Sequence, residues 1–198
     1  MMKNIITVHD AGFQRRKQCP EMFDLSFWAK QESYSLIKQY CNRDDDIIEI
    51  GCLTGHHLLL LAQEGYTKLN GIDFCKEAIA WADEHNTDNK VKFTAGAWPY
   101  ACMGNKWMFD KVILFDVLEH VHNVKDFLES VIRYIDNSSH VLIMVPLGQH
   151  YMDEGHVNFW TSPGALTMLL QYYFKVDLCY VVDNGTKLFA LCRKQGDE

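Results

Sequence analysis

The sequence predicts an α/β fold in which helices cover both faces of a doubly wound, seven-stranded sheet. The fold has three layers, αβα, and the last two strands form an antiparallel C-terminal hairpin. Three observations support this prediction. Short apolar runs alternate with segments of helical periodicity along most of the chain. A glycine turn follows the first apolar run, and Asp73 ends the second. The last two runs flank Asp183-Asn184-Gly185, which is a hairpin turn signal.

The predicted strands are short, apolar and rich in β-branched residues. In chain order they cover Ile47–Ile50, Leu69–Ile72, Val91–Thr94, Lys111–Phe115, Val141–Val145, Val176–Val182 and Leu188–Cys192. Pro146 ends the fifth strand, because proline cannot donate a hydrogen bond to a sheet. Five alternating β–α units before a hairpin predict parallel strands with one reversed edge strand.

Apolar residues at helical spacing predict the helices between these strands. They cover Ser26–Tyr40, Leu58–Ala62, Lys76–His85, a segment from Val124 to Ile135, and a segment that begins at Pro163 and carries Tyr173. Ser162 or Thr161 would cap the last helix, with Pro163 in its first turn. His56 and His57 are predicted to be first-turn helix residues rather than a metal pair, because adjacent helical positions point in different directions.

Composition excludes several classes of protein. With 198 residues, 48% of them hydrophobic and 23% charged, the chain predicts one folded domain. The net charge of −7 and the absence of a basic block argue against nucleic-acid binding. No apolar run approaches the ~20 residues that cross a bilayer, and no signal-peptide h-region is present. Seven cysteines without a C-x-x-C pair predict a reduced cytoplasmic protein with neither disulfides nor structural zinc.

The turn after the first strand predicts a ligand that comes close to the backbone. Gly51 and Gly55 bracket this turn, and glycine permits positive φ and leaves no Cβ in the way. The N–H groups of the next helix point back at it. Asp73 follows about 20 residues later, where doubly wound sheets hydrogen-bond a ribose. The stretch therefore predicts a nucleoside-binding half-fold.

The same turn does not suit a dinucleotide. With Gly51 as its second glycine, the nicotinamide fingerprint G-x-G-x-x-G would place its third glycine at Thr54, and Leu53 also stands inside the turn. Such a turn serves a pyrophosphate poorly. A nucleoside ligand without phosphates fits the spacing better.

Three segments resemble one known family. Glu49–Gly55 is similar to the pattern E/D-x-G-x-G-x-G, Gly71–Asp73 looks like a second motif, and Phe109–Val121 resembles a fourth-strand signature. Together they are typical of class I S-adenosylmethionine (SAM)-dependent methyltransferases, and the third segment is typical of their small-molecule branch. The resemblance runs from about Trp28 to Arg193 and implies a Rossmann-like fold.

The resemblance also implies which residues bind SAM. Glu49 would orient the glycine loop and reach the methionine end, and Asp73 would bind the ribose hydroxyls. The predicted cofactor-binding residues are Glu49, Gly51, Cys52, Thr54, Gly55, Asp73, Phe74, Ala97, Trp98 and Asp116. Two positions depart from the family pattern. Leu53 replaces the usual middle glycine, and Ala97 stands where an aspartate commonly faces the adenine amino group.

Structural alternatives stand beside these roles. Glu49 is alternatively a strand-edge acid paired with a surface lysine, and Asp73 a helix cap. Phe74 is equally well explained as a core aromatic residue. His120 is alternatively a residue that steadies its own loop.

Methyl transfer from a sulfonium mainly requires alignment and a water-poor site. A base is needed only when the nucleophile carries a proton, and His120 is our candidate because its pKa is normally near neutrality. The loop of residues 150–160 is predicted to line the acceptor site with Tyr151 and with His156, which is the second candidate for a catalytic role. Phe159 and Trp160 are predicted to anchor that loop in the core.

A metal site is the alternative at the same place. Asp116-x-x-Glu119-His120 with a distant histidine such as His156 offers ligands for a divalent ion. This set is similar to the E-x-x-E-H set of metal-dependent RNA 2′-O-methyltransferases. Because the acidic charge argues against RNA and ligand types alone do not fix geometry, we predict a site without a metal.

The sequence therefore predicts a SAM-dependent methyltransferase that acts by in-line displacement on an O, N or C nucleophile of a small molecule. One alternative is a methyltransferase for RNA or protein, with or without a metal. Another is a SAM-binding pseudoenzyme, which Leu53 and Ala97 keep open. We expect residues 1–40 to form an N-terminal arm and covering helix, and residues 41–198 to form the SAM-binding domain.

Overall fold

A computed structural model describes residues 13–14, 17–102, 108–148 and 155–196. The chain divides into two compact units, residues 1–103 (unit 1) and 104–198 (unit 2). Tyr151, predicted to line the acceptor site, lies outside the described residues. Among the residues that are described, no helix is long and apolar enough to cross a membrane.

Unit 1 is a parallel β-sheet with helices between its strands. Its elements are α1 (Leu25–Trp28), α2 (Glu32–Tyr40), β1 (Ile47–Ile50), α3 (His56–Gln63), β2 (Leu69–Asp73), α4 (Lys76–Glu84) and β3 (Val91–Ala95). Short 3-10 turns cover Pro20–Phe23, Thr87–Asn89 and Tyr100–Cys102. Strand β2 pairs with both β1 and β3, with Leu69 opposite Ile47 on one side and opposite Val91 on the other. The three strands therefore end at one edge, and their loops meet there.

Unit 2 begins with parallel strands and ends in an antiparallel hairpin. Its elements are β4 (Lys111–Phe115), α5 (Val124–Ile132), β5 (His140–Pro146), α6 (Pro163–Leu170), β6 (Phe174–Val182) and β7 (Lys187–Lys194), with 3-10 turns at Leu118–His120 and Asp183–Gly185. Strand β5 lies parallel to β4 and antiparallel to β7, which also pairs antiparallel with β6. The hairpin thus supplies a reversed strand, as predicted, but not at the edge of the sheet: β7 lies between β5 and β6, and β6 is the edge strand.

Burial explains why the apolar runs form strands. Every residue of β1 and β4 is buried, including Lys111, and the core of β5 from Val141 to Val145 is equally inaccessible. Continuous burial on both faces is typical of parallel strands covered by helices. The predicted fold class, a Rossmann-like α/β sheet of seven strands with an antiparallel C-terminal hairpin, is confirmed.

Three predicted helix boundaries are wrong. The predicted single helix Ser26–Tyr40 is two helices, because Gln31 is extended at φ −74° and ψ 146°. The first of them begins at Leu25, after the cap Asp24, whose Oδ1 accepts from Ser26 N (2.8 Å). Helix α5 ends at Ile132, and the buried Ile135 lies beyond it, outside the helix. Helix α6 ends before Tyr173, while its cap is Ser162, whose side chain accepts from Ala165 N.

Candidate functional site

The loop between β1 and α3 adopts left-handed backbone at three positions. Gly51 has φ 78°, Leu53 has φ 47° and Gly55 has φ 63°. Leu53 therefore adopts a left-handed backbone conformation that glycine favours. For a residue with a Cβ this conformation is sterically unfavourable and uncommon. Its side chain packs against the buried cluster of Phe13, Cys75 and Ala78. Apolar packing thus accompanies the unusual residue in the turn.

Asp73 fixes this loop to the end of β2. Its Oδ2 accepts a hydrogen bond from Leu53 N (2.9 Å), and its Oδ1 accepts one from Cys75 N (2.8 Å). The N–H groups of Gly51 and Cys52 both donate to the Ile72 carbonyl, at 2.8 and 3.2 Å. Because a carboxylate oxygen accepts more than one hydrogen bond, these contacts are compatible with the predicted ribose role of Asp73. Sequence reasoning missed its role in holding the loop.

The ring of Phe93 leaves no space for a side chain at Gly55, a contact that the sequence analysis did not predict. A Cβ built on Gly55 would lie 2.3 Å from Phe93 Cε1. A Cβ on Gly71 would lie 2.7 Å from Cδ1 of the same ring. Phe93 stands on β3, so its ring fills the space that both glycines leave open. Packing therefore explains these two glycines, and cofactor contact at Gly55 stays a prediction.

Glu49 is the last of three buried side chains that are linked by hydrogen bonds. Its Oε1 accepts from His57 Nδ1 (2.7 Å), and His57 Nε2 lies 3.0 Å from Ser33 Oγ. All three side chains are buried, and Glu49 Oε2 has no hydrogen-bond partner within the described part of the chain. A buried acceptor without a partner is costly, so Glu49 has one satisfied and one unsatisfied carboxylate oxygen.

The remaining loop residues are buried and anchored. Thr54 is fully buried, and its Oγ1 lies 2.6 Å from His56 Nδ1. The His56 ring packs against those of Trp28 and Trp81, at centroid distances of 5.4 and 4.9 Å. Cys52 is also buried. Helix α3 therefore begins on a rigid first turn, and His56 serves in packing, as the sequence predicts for a first-turn helix residue.

The loop after β3 lies at the same edge of unit 1. Gly96 N donates to the Asp73 carbonyl (2.8 Å), which ties this loop to the end of β2. Ala97 is exposed, whereas Trp98 and Phe74 are half-buried. The structure thus brings Asp73, Phe74, Ala97 and Trp98 to one edge, as expected from parallel strands.

Asp116 stands just after β4 in unit 2. It is exposed, adopts φ 55°, and its Oδ2 lies 2.6 Å from Lys187 Nζ. A non-glycine residue in this region of φ is uncommon, although aspartate is among the residues that tolerate it best. The cofactor role of Asp116 stays a prediction.

Among the described residues of unit 2, Glu119 is the least accessible charged residue, with 1% exposure. Neither carboxylate oxygen has a hydrogen-bond partner in the described part of the chain. Burial raises the pKa of Glu119 well above its usual value, and the negative charge of Asp116 raises it further, while Lys187 opposes the effect. In the sequence, Glu119 is recognisable only as part of the fourth-strand signature. The lack of hydrogen-bond partners for its carboxylate among the described residues depends on tertiary contacts that the sequence does not show.

The two predicted catalytic histidines lie side by side in unit 2. The ring centroids of His120 and His156 are 4.7 Å apart, with planes inclined by 69°. His120 Nδ1 lies 3.1 Å from the Gly155 carbonyl, and Nε2 lies 4.0 Å from Glu119 Oε1. One ligand atom each from Glu119, His120 and His156 all lie within 4.8 Å of one another. Further along, Trp160 is buried and Phe159 half-buried, in keeping with their predicted role as anchors.

The chain is similar in sequence to known methyltransferases. Residues 16–180 match a family model described as "Methyltransferase domain". A ubiquinone biosynthesis O-methyltransferase of Rickettsia bellii is 29% identical over 101 residues, which are 50% of this chain and 42% of the relative. The chain matches only about two fifths of the length of such curated relatives.

Solved structures share the fold over nearly the whole chain. The DhpI–SAH complex has a TM-score of 0.72 at 20% identity and covers 98% of both chains. A SAM-dependent methyltransferase from Aquifex aeolicus has a TM-score of 0.72 at 13% identity, covering 90% of this chain and 98% of the other. At such identities the likeness concerns the fold. The family match spans most of the chain, so the predicted resemblance is confirmed, and the chain belongs to the methyltransferase domain family of class I SAM-dependent enzymes.

Proposed function

We propose that this protein transfers the methyl group of SAM, by in-line displacement, to a nucleophile of a small molecule. The sequence leaves O, N and C nucleophiles open. Oxygen is favoured here, because the relatives that match half of the chain are named O-methyltransferases. The net charge of −7 argues against a nucleic-acid acceptor.

The observation that carries this proposal is the attachment of the glycine loop to the buried carboxylate of Asp73. A strand-end acid beside such a loop is where doubly wound folds bind a ribose. The loop is held from both ends, by Asp73 and by the Ile72 carbonyl, so a nucleoside would meet a preformed surface. Phe74, Ala97 and Trp98 are proposed to lie against the adenine end.

Glu49 is proposed to bind the amino-acid end of SAM. Its Oε2 is buried and has no hydrogen-bond partner among the described residues, while Oε1 is held by His57. The ammonium group of a methionine moiety is a donor and a cation, so it would satisfy this oxygen. Cys52, Thr54 and the two loop glycines would provide the surrounding backbone.

The chemical step needs little from the protein besides alignment and exclusion of water. The sulfonium is already a strong electrophile. Where the acceptor is a hydroxyl, a proton must also leave, and His120 and His156 are our candidates to receive it. Asp116 is retained as a proposed cofactor residue on the strength of the sequence resemblance.

Calorimetric titration with SAM tests the proposal, with NAD as the control ligand. We expect SAM to bind and NAD to give no heat. Asp73→Asn should weaken SAM binding by more than tenfold, which is about 1.4 kcal/mol, because it removes the charge from the proposed ribose acceptor. Asp83→Asn, at an exposed position of α4, is the matched control and should bind like wild type.

Absence of SAM binding in the folded wild type would refute the proposal. Equal weakening by Asp73→Asn and Asp83→Asn would refute the role of Asp73. Binding of SAM without its consumption in the presence of phenolic acceptors would instead favour the pseudoenzyme. Melting curves of each variant check that the fold persists.

A further inference from the structure

We propose that Glu119, His120 and His156 bind one divalent transition-metal ion such as zinc or cobalt. One ligand atom from each residue lies within 4.8 Å of the other two. The three residues belong to unit 2 and come from two chain segments, the 3-10 turn after β4 and the segment before α6. The proposal rests on this cluster alone and is independent of the proposed methyl transfer.

The buried carboxylate of Glu119 points to a cation. Its side chain is 1% exposed, and within the described residues both oxygens lack a hydrogen-bond partner. Lys187, the nearby ammonium, contacts Asp116 Oδ2 at 2.6 Å instead. A buried carboxylate without a partner is strongly unfavourable, and it is normally paired or coordinates a metal. An ion bound beside the two histidines would compensate both oxygens.

The ring of His120 is oriented as metal-binding histidines usually are. The Gly155 carbonyl, 3.1 Å from Nδ1, can only accept a hydrogen bond, so Nδ1 carries the proton. In the neutral ring the lone pair is then on Nε2, on the side where Glu119 Oε1 lies at 4.0 Å. A backbone carbonyl that fixes one nitrogen while the other binds the ion is the common outer-shell arrangement.

Backbone hydrogen bonds hold the segment of His156 against the turn that carries the other two ligands. Val157 N donates to the Glu119 carbonyl at 2.7 Å. The Asn158 side chain donates to the carbonyls of Leu118 (2.9 Å) and Val121 (2.7 Å). The ligand-bearing residues are therefore brought together by the fold before any ion binds, which lowers the entropic cost of binding.

The ligand types select the class of ion. Two imidazole nitrogens and one carboxylate suit zinc or cobalt, whereas magnesium and calcium prefer oxygen ligands. Ligand atoms around a tetrahedral zinc ion at about 2.1 Å would lie roughly 3.4 Å apart. The present separations exceed this by little more than about 1 Å, which side-chain rotation can close. Three protein ligands leave a coordination position for water or for an oxygen atom of a bound molecule.

This assignment changes the role of His120. One nitrogen cannot bind an ion and accept a proton at the same time. In the metal-bound protein, His120 and His156 are therefore ligands, and neither is the base of the transfer step. The prediction of a site without a metal, made from residue types, is thereby replaced by a proposal made from geometry.

The test uses the full chain, freed of metal with a chelator and titrated with Co²⁺, followed by its visible absorption. We expect one equivalent to bind. Glu119→Gln and His156→Asn should each weaken binding at least tenfold, because each removes one of three ligands. His122→Asn is the matched control, since His122 is exposed on the same loop and lies outside the cluster. Zn²⁺ should raise the melting temperature of wild type and control, and Mg²⁺ should not.

Several outcomes would overturn the proposal. They are no binding of Co²⁺ by the folded wild type, equal binding by wild type and both ligand variants, or a thiolate-to-cobalt charge-transfer band, which would place the ion on cysteines. Because no SAM is present, failure here leaves the proposed methyl transfer untouched. Failure of SAM binding would equally leave the metal site standing.

Discussion

Among the described residues, each unit buries one glutamate, in or just after its first strand, and the two differ in their hydrogen bonds. Glu49 in unit 1 is 4% exposed and is bonded through Oε1 to His57, which in turn meets Ser33. Glu119 in unit 2 is 1% exposed, and neither of its oxygens is hydrogen-bonded within the described residues. A hydrogen bond from His57 therefore fixes one oxygen of Glu49, whereas no hydrogen bond from the described residues fixes either oxygen of Glu119.

The difference shows what each carboxylate is suited to bind. A half-satisfied carboxylate has a fixed direction and one acceptor oxygen to offer, which fits a single donor such as an ammonium group. A carboxylate with neither oxygen bonded, flanked by two imidazole rings, fits an ion that takes several ligands at once. Buried oxygens without a hydrogen bond carry a cost in the unliganded protein, and at Glu49 the bond from His57 offsets part of it.

The largest change in the free energy of unfolding is expected at Gly55, where the Phe93 ring leaves no space for a Cβ. Gly55→Ala would bring a Cβ to 2.3 Å from the Phe93 ring at a backbone φ of 63°. We expect a loss of about 2–5 kcal/mol in the free energy of unfolding, from overpacking and left-handed strain together. Urea denaturation followed by circular dichroism measures it.

Gly185→Ala in unit 2 is the control for strain alone. Gly185 has φ 90°, and a Cβ there would meet no atom within 4 Å. This variant should lose only about 1–2 kcal/mol. If Gly55→Ala were no more destabilised than Gly185→Ala, the packing of the Phe93 ring against the loop between β1 and α3 would be refuted.

The two buried glutamates should respond to amidation with opposite signs. In chelator at neutral pH, Glu49→Gln should lower the free energy of unfolding by about 1–2 kcal/mol, because a charge-assisted bond from His57 becomes a neutral one. Glu119→Gln should raise it by about 1–3 kcal/mol, because the buried glutamate must either stay charged without compensation or take up a proton, and the neutral amide requires neither. Chemical denaturation of both variants measures the pair of changes.

Excess Zn²⁺ sharpens this comparison. It should stabilise wild type and Glu49→Gln but not Glu119→Gln, so that the advantage of the latter disappears. The contrast between the two units would be wrong if both substitutions destabilised the metal-free protein. It would also be wrong if Zn²⁺ stabilised all three proteins equally.

Much of the fold could be predicted, because its signals are local. Buried parallel strands are continuous apolar runs, and Lys111–Phe115 is predicted with its observed limits. Asp73 at the end of β2 follows from strand and turn order alone. The break between α1 and α2 was missed, because the cap at Asp24 precedes the periodic segment and the extended Gln31 has no strong local signal.

The parts of the site that were missed depend on contacts between distant residues. His57 is eight residues from Glu49, and only the strand–turn–helix geometry turns its ring toward that carboxylate. Phe93 is far along the chain from Gly55, so the reason for that glycine lies in packing that no motif records. His156 was a candidate by residue type, but its placement beside His120 depends on how the segment before α6 returns to the turn after β4.

The smallest effect is expected at the surface, where the units resemble each other. In unit 2, hydrogen bonds from Arg193 lower the pKa of Asp177, and in unit 1 Lys38 and Tyr34 do the same for Glu64. A lowered carboxyl pKa in the folded state stabilises the protein above the ordinary pKa, and this contribution is lost as the pH falls through the lowered value. Asp177→Asn and Glu64→Gln should therefore each be slightly less stable than wild type at pH 7. Because protonation removes the same charge from wild type, both differences should shrink toward zero as the pH falls below about 4. A difference that persisted in acid would show that the side chains contribute through packing rather than charge.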